Sequence, residues 1–307
     1  MNTDYQVIIV GGGPAGLTAG LYATRARLKA LLVEKLSSGG QMMLADVIKN
    51  YPGFPEGISA FDLAERMKQQ AEKYGLKIAS AEVNSIDLEE DYKVVRTSEG
   101  DYKTKAVIIT SGSEYNKLGV PGEEKFMGKG VAYCATCDGA LFNDQVVVVV
   151  GGGNVALNDA LFLTRFASKV FVIHRRDKLR ATKILQEQAF NQPKIEFLWN
   201  TVVESIIGED LVKRLSLKNV TTGEKRNLEI SGIFVAVGQH PNTKYLEGLL
   251  ALDPDGSIPV NNQMETGIAG VFAAGDIRSN SVRQIAGAVG DGAIAAISAE
   301  KFLSSNT

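Results

Sequence analysis

The sequence is short of the residue types on which several protein classes depend. Its 307 residues include two cysteines and two histidines. Two cysteines cannot staple a small secreted scaffold, and so few histidines leave little from which to build a metal site. An excess of charge is also missing, since 33 Lys plus Arg stand against 35 Asp plus Glu, a formal net charge of −2. That balance argues against a protein held to nucleic acid or to a membrane surface by bulk charge. The most apolar run, Val146 to Val150, stops at Gly151 and is far too short to cross a bilayer. The opening Met1-Asn-Thr-Asp-Tyr-Gln shows no basic leader and no cleavage pattern. The expectation is a soluble, cytoplasmic protein.

Glycine, by contrast, is plentiful. There are 32 glycines, above the usual share of about 7%. Hydrophobic residues at 45% and charged residues at 22% describe an ordinary globular chain. At roughly 150 residues per domain, the length suggests two domains. A repeat organises them. Residues 11–35, GGGPAGLTAGLYATRARLKALLVEK, align without a gap with residues 151–175, GGGNVALNDALFLTRFASKVFVIHR, at an offset of 140. Each copy follows an apolar strand (5–10 or 145–150) and continues into a helix with apolar spacing, Leu17, Leu21, Leu28 or Leu157, Leu161, Phe162. Each then reaches a second strand, 30–33 or 170–173. The predicted fold is therefore α/β, with two Rossmann-like dinucleotide-binding domains.

The chemistry of the repeat follows from its glycines. The first allows a tight turn, the second lets backbone approach a pyrophosphate, and the third lets helix pack on strand. These are Gly11, Gly13 and Gly16 in the first copy, and Gly151, Gly153 and the small variant Ala156 in the second. The helix N-terminus beside each turn offers free N–H groups and a positive dipole end. The copies differ at the end of the second strand. Glu34 can accept hydrogen bonds from a ribose diol, as FAD or NAD requires. Its counterpart is His174, followed by Arg175, Arg176 and Arg180, a cluster able to clamp the 2′-phosphate of NADPH. Taken alone, that cluster could be a solvated basic stretch.

Both cysteines lie in Cys134-Ala-Thr-Cys137-Asp138-Gly139. The C-x-x-C spacing permits a small disulfide and can lower a thiol pKa. Half a zinc site would need two more ligands, and His174 and His240 are isolated from each other. Two inert buried thiols remain an alternative at this level. Asp138 could move a proton during dithiol exchange or serve as an ordinary Asp-Gly turn residue.

With these motifs in place, the chain resembles the low-molecular-weight thioredoxin reductases along essentially its whole length. The resemblance rests on Gly11-Gly-Gly-Pro-Ala-Gly16, Gly39-Gly-Gln41, Cys134-Ala-Thr-Cys137-Asp138, Gly151-Gly-Gly153, His174-Arg-Arg176 with Arg180, Ala274-Gly-Asp276-Ile277, and Arg283-Gln284 followed by Gly290-Asp-Gly292. The cysteine pair just before the second glycine turn separates this family from glutathione-reductase-type relatives, where the pair sits in the FAD domain.

The resemblance implies one FAD per chain, held by Gly11, Gly13, Pro14, Ala15, Gly16, Glu34, Lys35, Gly40, Gln41, Asn50, Gly112, Gly275, Asp276, Arg283, Gln284 and Ile285. It implies NADPH on Gly153, Asn154, Val155, His174, Arg175, Arg176 and Arg180. The FAD domain would be discontinuous, 1–113 and 244–307, with the NADPH domain inserted as 117–241. Electrons would pass from NADPH through FAD to the cysteine pair and on to a thioredoxin-like protein, with Cys137 facing the flavin and Cys134 attacking the partner. The NADPH domain would rotate between the half-reactions, and the enzyme would be a homodimer without a metal. Two departures stand out. The family's Gly-Gly-Gly-x-Ser-Ala-x-Glu-Glu-Ala is here Gly151-Gly-Gly-Asn-Val-Ala-Leu-Asn-Asp-Ala160, so Val155 lacks the hydroxyl near the pyrophosphate and Asn158 and Asp159 replace two glutamates with shorter groups; Gly287 stands where a Thr is frequent. The alternatives are a flavoprotein of this architecture with another dithiol target, and a non-catalytic redox sensor whose C-x-x-C switches partner binding.

Overall fold

A computed structural model describes residues 3–45 and 47–305. The chain divides into two compact units, Met1–Glu114 with His240–Thr307, and Tyr115–Gln239. Among the described residues no helix is long and apolar enough to cross a membrane.

The first unit is built on a mixed sheet. Its strands are β1 (Tyr5–Val10), β2 (Ala30–Glu34), β3 (Lys77–Ser80), β4 (Val83–Leu88), β5 (Lys93–Thr97) and β6 (Gly100–Ile109), in spatial order β3-β2-β1-β6-β5-β4. Strands β3, β2, β1 and β6 run parallel, with Val7 opposite Ala30 and Ala106, while β5 and β4 return antiparallel. The short strand Val271–Ala273 joins β6 in parallel from the far end of the chain. Val7 to Val10 are all buried, because both faces of this parallel centre are covered. Such a strand reads as a continuous apolar run rather than an alternating one.

Helix α1 (Pro14–Arg25) begins with proline at its first position, where the missing N–H costs nothing. It buries Ala15, Leu17, Ala19 and Ala23, and these small side chains let the C-terminal helix Ile285–Ser305 lie close against it. At Gly292 of that helix a Cβ would collide with the Ala15 carbonyl oxygen. Helix α2 (Ala60–Lys73) starts on Ser59, whose hydroxyl accepts from the Asp62 N–H at 3.2 Å.

The second unit repeats the plan with a fully parallel sheet. Strands β7 (Val131–Ala132), β8 (Val146–Val150), β9 (Lys169–Ile173), β10 (Ile195–Leu198) and, after a three-stranded antiparallel meander over 201–229, β11 (Gly232–Val235) take the order β7-β11-β8-β9-β10. Helix α3 (Ala135–Asp138), α4 (Asn154–Leu163) and α5 (Lys183–Phe190) accompany them. In both units the glycine turn leaves the carboxyl end of the central strand, where open α/β sheets bind ligands.

Candidate active site

The first turn is held from beneath. Gly11 sits at φ +106°, a region open to glycine, and a Cβ there would press on the Thr110 carbonyl. Thr110 Oγ1 donates towards the carbonyls of Val10 and Gly11, each at 2.9 Å. A Cβ at Gly16 would collide with the Gly11 carbonyl oxygen, so helix and turn are in direct contact. A Cβ at Gly13 would meet nothing within 4 Å, so this is the open face a pyrophosphate can approach. The helical N–H groups of Ala15 and Gly16 lie in the first turn, where no intrahelical acceptor exists. Glu34 accepts from the Gly12 N–H at 2.5 Å through one oxygen and from the Leu36 N–H at 2.8 Å through the other. Both oxygens keep a lone pair for a diol.

Distant segments close on this turn. Gly39 N–H donates to the Gly12 carbonyl at 2.9 Å, and a Cβ at Gly40 would stand 3.2 Å from Gly13 Cα. Gln41 follows, and its side-chain Oε1 is buried without a hydrogen-bond donor. A Cβ at Gly275 would lie 3.0 Å from that of Ala15. Ser281 Oγ donates to Asp276 Oδ1 at 3.3 Å and accepts from the Arg283 N–H at 3.2 Å. Burial raises the Asp276 pKa. Asn50 Nδ2 donates to Gln284 Oε1 at 3.1 Å, and Ile285 packs on the cluster containing Met42 and Ile48. The Gly112 carbonyl accepts from the Asn242 N–H at 2.9 Å. Lys35 differs from these residues, being engaged with Glu82 at 2.7 Å on the surface.

The second turn carries its own brace. A Cβ at Gly152 would collide with the His174 ring. His174 is buried, with Nε2 3.1 Å from the Lys178 carbonyl. Burial lowers its pKa and the charges of Arg176, Arg180 and Arg175 add to that effect, against the pull of the carbonyl. His174 is therefore a neutral strut rather than a third kind of cation. The Gly152 carbonyl accepts from the N–H groups of Arg180 at 2.7 Å and Ala181 at 3.2 Å, and Asn154 Oδ1 accepts from the Thr182 N–H at 2.8 Å. The loop 175–180 is thus fastened to the glycine turn while Arg175, Arg176 and Arg180 stay exposed. A Cβ at Gly153 would meet nothing within 4 Å. Val155 is 59% exposed at the start of α4, and burial pushes the Asp159 carboxyl up to about 7.

Cys134 and Cys137 form a disulfide. Cys134 caps α3, where its carbonyl accepts from the N–H groups of Cys137 at 3.2 Å and Asp138 at 3.1 Å. Cys137 is exposed and Cys134 half-buried. Burial pushes the Asp138 carboxyl up to about 6, close enough to neutrality for a group that must both give and take a proton. No role was expected from the sequence for Thr110, for Ser281, or for the buried pair in which Asp291 takes Arg278 Nε at 2.6 Å and Nη2 at 3.0 Å while accepting from the Gly275 N–H at 3.1 Å. Asp291 lies inside the Gly290-Asp-Gly292 motif, but the motif does not name Arg278 and Gly275 as its partners.

The two turns differ in tolerance. Gly16→Ala should force the Gly11 turn open and lower the flavin bound per chain several-fold, read as the visible-to-ultraviolet absorbance ratio. Ala156→Gly should cost about 0.5–1 kcal/mol of stability through backbone entropy and leave that ratio unchanged. Equal flavin content in the Gly16 variant and the parent protein would dissociate this turn from the cofactor.

Residues 5–292 match the family model for pyridine nucleotide-disulphide oxidoreductases. The chain is similar to the thioredoxin reductase of Bacillus subtilis strain 168, with 46% identity covering 97% of this chain and 95% of that one. It is 44% identical to the thioredoxin reductase of Peptoclostridium litorale, over 99% and 98% of the two chains. The crystal structure of thioredoxin reductase from Streptococcus pyogenes MGAS5005 superposes with a TM-score of 0.95 at 45% identity, covering 98% of each chain.

Proposed function

Because the chain belongs to the thioredoxin reductases within the pyridine nucleotide-disulphide oxidoreductase family, we propose that it uses NADPH and FAD to reduce the disulfide of a thioredoxin. The carrying observation is a C-x-x-C disulfide on the unit that also bears the arginine-flanked second glycine turn.

The first unit fits FAD. The orphaned Gln41 Oε1 needs a donor such as a flavin ring N–H, and the open face at Gly13 and the carboxylate of Glu34 suit a pyrophosphate and a ribose. Gly11, Gly13 and Gly16 with the first turn of α1 would hold the phosphates, and Asp276, fixed by Ser281, would take the neighbouring polyol. Gln41, Asn50, Gln284 and Ile285 would border the ring system. Bound FAD supplies hydride acceptance from NADPH and two-electron delivery to a disulfide.

The second unit binds and orients the coenzyme. The turn Gly151–Gly153 and the start of α4 would take the pyrophosphate, and Arg175, Arg176 and Arg180 would take the 2′-phosphate from a loop held by Gly152 and His174. Hydrogen bonds to a charged group are worth about 1.5–3 kcal/mol each. Replacing the three arginines together by Ala should raise the KM for NADPH at least a hundredfold and barely change that for NADH. Parallel losses for both coenzymes would assign these residues to folding.

Thiol exchange belongs to Cys134, Cys137 and Asp138. Once the pair is reduced, the Cys134 thiolate attacks a partner sulfur, forming a mixed disulfide and expelling the partner's other thiolate. Cys137 then attacks Cys134, restoring the Cys134–Cys137 disulfide and releasing the second partner sulfur, while Asp138 moves the proton that each leaving thiolate requires. Reducing the pair and delivering the pair to a partner place different groups at one reactive centre. We therefore propose that the two units change their mutual arrangement between half-reactions, and that two copies form the working enzyme. Anaerobic titration with NADPH followed by added thioredoxin tests the whole reading. Repeated NADPH consumption with thioredoxin supports it, and a single stoichiometric reduction without turnover would mark a sensor instead.

A further inference from the structure

Glu123 is 1% exposed, and neither nucleotide turn nor the cysteine chemistry uses it. Its carboxylate accepts three hydrogen bonds, from the Leu118 N–H to Oε1, the Gly119 N–H to Oε2 and the Tyr133 hydroxyl to Oε1, all at 2.8 Å. All three donors are neutral. Burying a carboxylate on neutral donors alone is costly, and an apolar side chain would fill the same space without that penalty. What the carboxylate offers instead is a fastening between two segments, Leu118–Gly119 and Tyr133.

The segments are informative. Leu118 and Gly119 end the connector by which the chain enters the second unit, and Tyr133 stands immediately before Cys134. The Tyr133 ring also stacks on Tyr115, at the start of that connector, with centroids 5.1 Å apart and planes 26° apart. The corner carrying Glu123 is itself immobilised. The Pro121 carbonyl accepts from the Ile206 N–H at 2.9 Å, and a Cβ at Gly122 would collide with the Ile206 carbonyl oxygen. The carboxylate is thus a fixed point, and both the connector and the residue leading into the disulfide are tied to it. Burial and the neighbouring Glu123 charge both raise the Tyr133 pKa, so the hydroxyl stays a donor.

We propose that Glu123, acting through Tyr133, is a positioning residue for the redox-active disulfide, clasping the connector at Leu118 and Gly119 to the strand end that presents Cys134. The inference rests on the reductase reading above. Its consequence is selective. The clasp fixes the connector at Leu118 and Gly119 and sets the backbone from which Cys134 projects. It has no contact with the Gly151–Gly153 turn or the arginine loop, so delivery of hydride from NADPH does not depend on it.

Tyr133→Phe in the flavin-loaded enzyme is the cleanest test, because it keeps the stack on Tyr115 and removes one hydrogen bond. Flavin content and the rate of flavin reduction by NADPH in stopped flow should stay within about twofold of the parent, whereas kcat for thioredoxin reduction should fall about tenfold with the NADPH KM unchanged. A clasp that acts on the disulfide should also shift the equilibrium of the Cys134–Cys137 pair against dithiothreitol, by about threefold or more. Glu123→Gln, which sets an amide N–H₂ against donors, should move the same two readouts further in the same direction. Unchanged exchange and an unchanged dithiothreitol equilibrium would overturn the proposal, as would equal loss of both half-reactions. If the parent enzyme fails to turn over with thioredoxin while Tyr133→Phe still shifts the dithiothreitol equilibrium, the substrate assignment falls and the clasp stands.

Discussion

Replacing Cys137 by Ser should abolish thioredoxin reduction, by at least about a thousandfold in kcat, while flavin reduction by NADPH proceeds at the parent rate. The two activities separate because the residues serving them do not overlap. The proposed coenzyme site, the Gly151–Gly153 turn with the loop 175–180 fastened to it, is left intact by the substitution. Electrons reaching the flavin then have no disulfide to enter, since Cys134 is left with a hydroxyl three residues on. Cys134→Ser should stop turnover equally and differ in the flavin spectrum. The remaining Cys137 thiolate, if it is the sulfur facing the flavin, should add a long-wavelength charge-transfer band that the Cys137 variant lacks. Stopped-flow absorbance with NADPH alone, then with thioredoxin, reads all three quantities. Thioredoxin reduction within tenfold of the parent in either variant would remove the cysteine pair from the pathway, and a band in the wrong variant would exchange the two sulfur roles.

Asp138→Asn should slow the thioredoxin half-reaction by about 10²–10⁴-fold, the usual worth of a positioned general acid–base group, and at the same time make the protein more stable near neutral pH. The second effect follows from burial, which moves the carboxyl from an ordinary 3.8 to about 6. The folded state binds this proton more tightly than the unfolded chain does. The stability that comes with it is complete below the unfolded pKa and is lost as pH rises from about 4 through about 6. Above that window the native protein holds a poorly solvated carboxylate. An asparagine of the same shape removes this cost, on the order of 2–3 kcal/mol at pH 7, and the gain should vanish at pH 4. The exchange rate of the parent should carry a limb that falls as pH rises through about 6, and the variant should lack it. Chemical denaturation at pH 4 and pH 7, beside a pH–rate profile, checks both signs. A variant with parent-like exchange and no pH-dependent gain would return Asp138 to the role of a turn residue.

Much of this molecule was legible in one dimension because its signals are local. Apolar runs at 7–10 and 146–150, glycine turns after each, and helical spacing from Leu17 and Leu157 all report on residues within a few positions of one another. The repeat at an offset of 140 made two dinucleotide folds the economical reading, and the C-x-x-C spacing permitted a disulfide while leaving two buried thiols as the alternative. The contrast in charge between Glu34 and the arginine cluster at the two strand ends was also readable, since charge type at a fixed distance from the glycines is a property of the string.

Periodicity shows that a residue is buried or a turn is tight, but not what comes to meet it from a hundred residues away. The strand Val271–Ala273 has three residues, too few for a pattern, and its place beside β6 was decided by the sheet. Lys35 lies next to Glu34 in sequence, yet it follows the last residue of β2, and its side chain pairs with Glu82 on the surface. His174 heads a run of cations and would be counted among them. Packing over Gly152 buries it, binds it to the Lys178 carbonyl and lowers its pKa, so it does not add to the charge of the exposed arginines. Gly39 and Gly40 against the first turn, Asp291 beneath Gly275 through Arg278, and Glu123 between the connector and Tyr133 are likewise set by tertiary contact. The sequence by itself determined the two β–turn–α–β units and the spacing of the cysteine pair, because those depend on neighbours along the chain. The tertiary structure alone decided which of the candidates are braces and which are free to meet a ligand, because burial and hydrogen-bond partnership depend on neighbours in space.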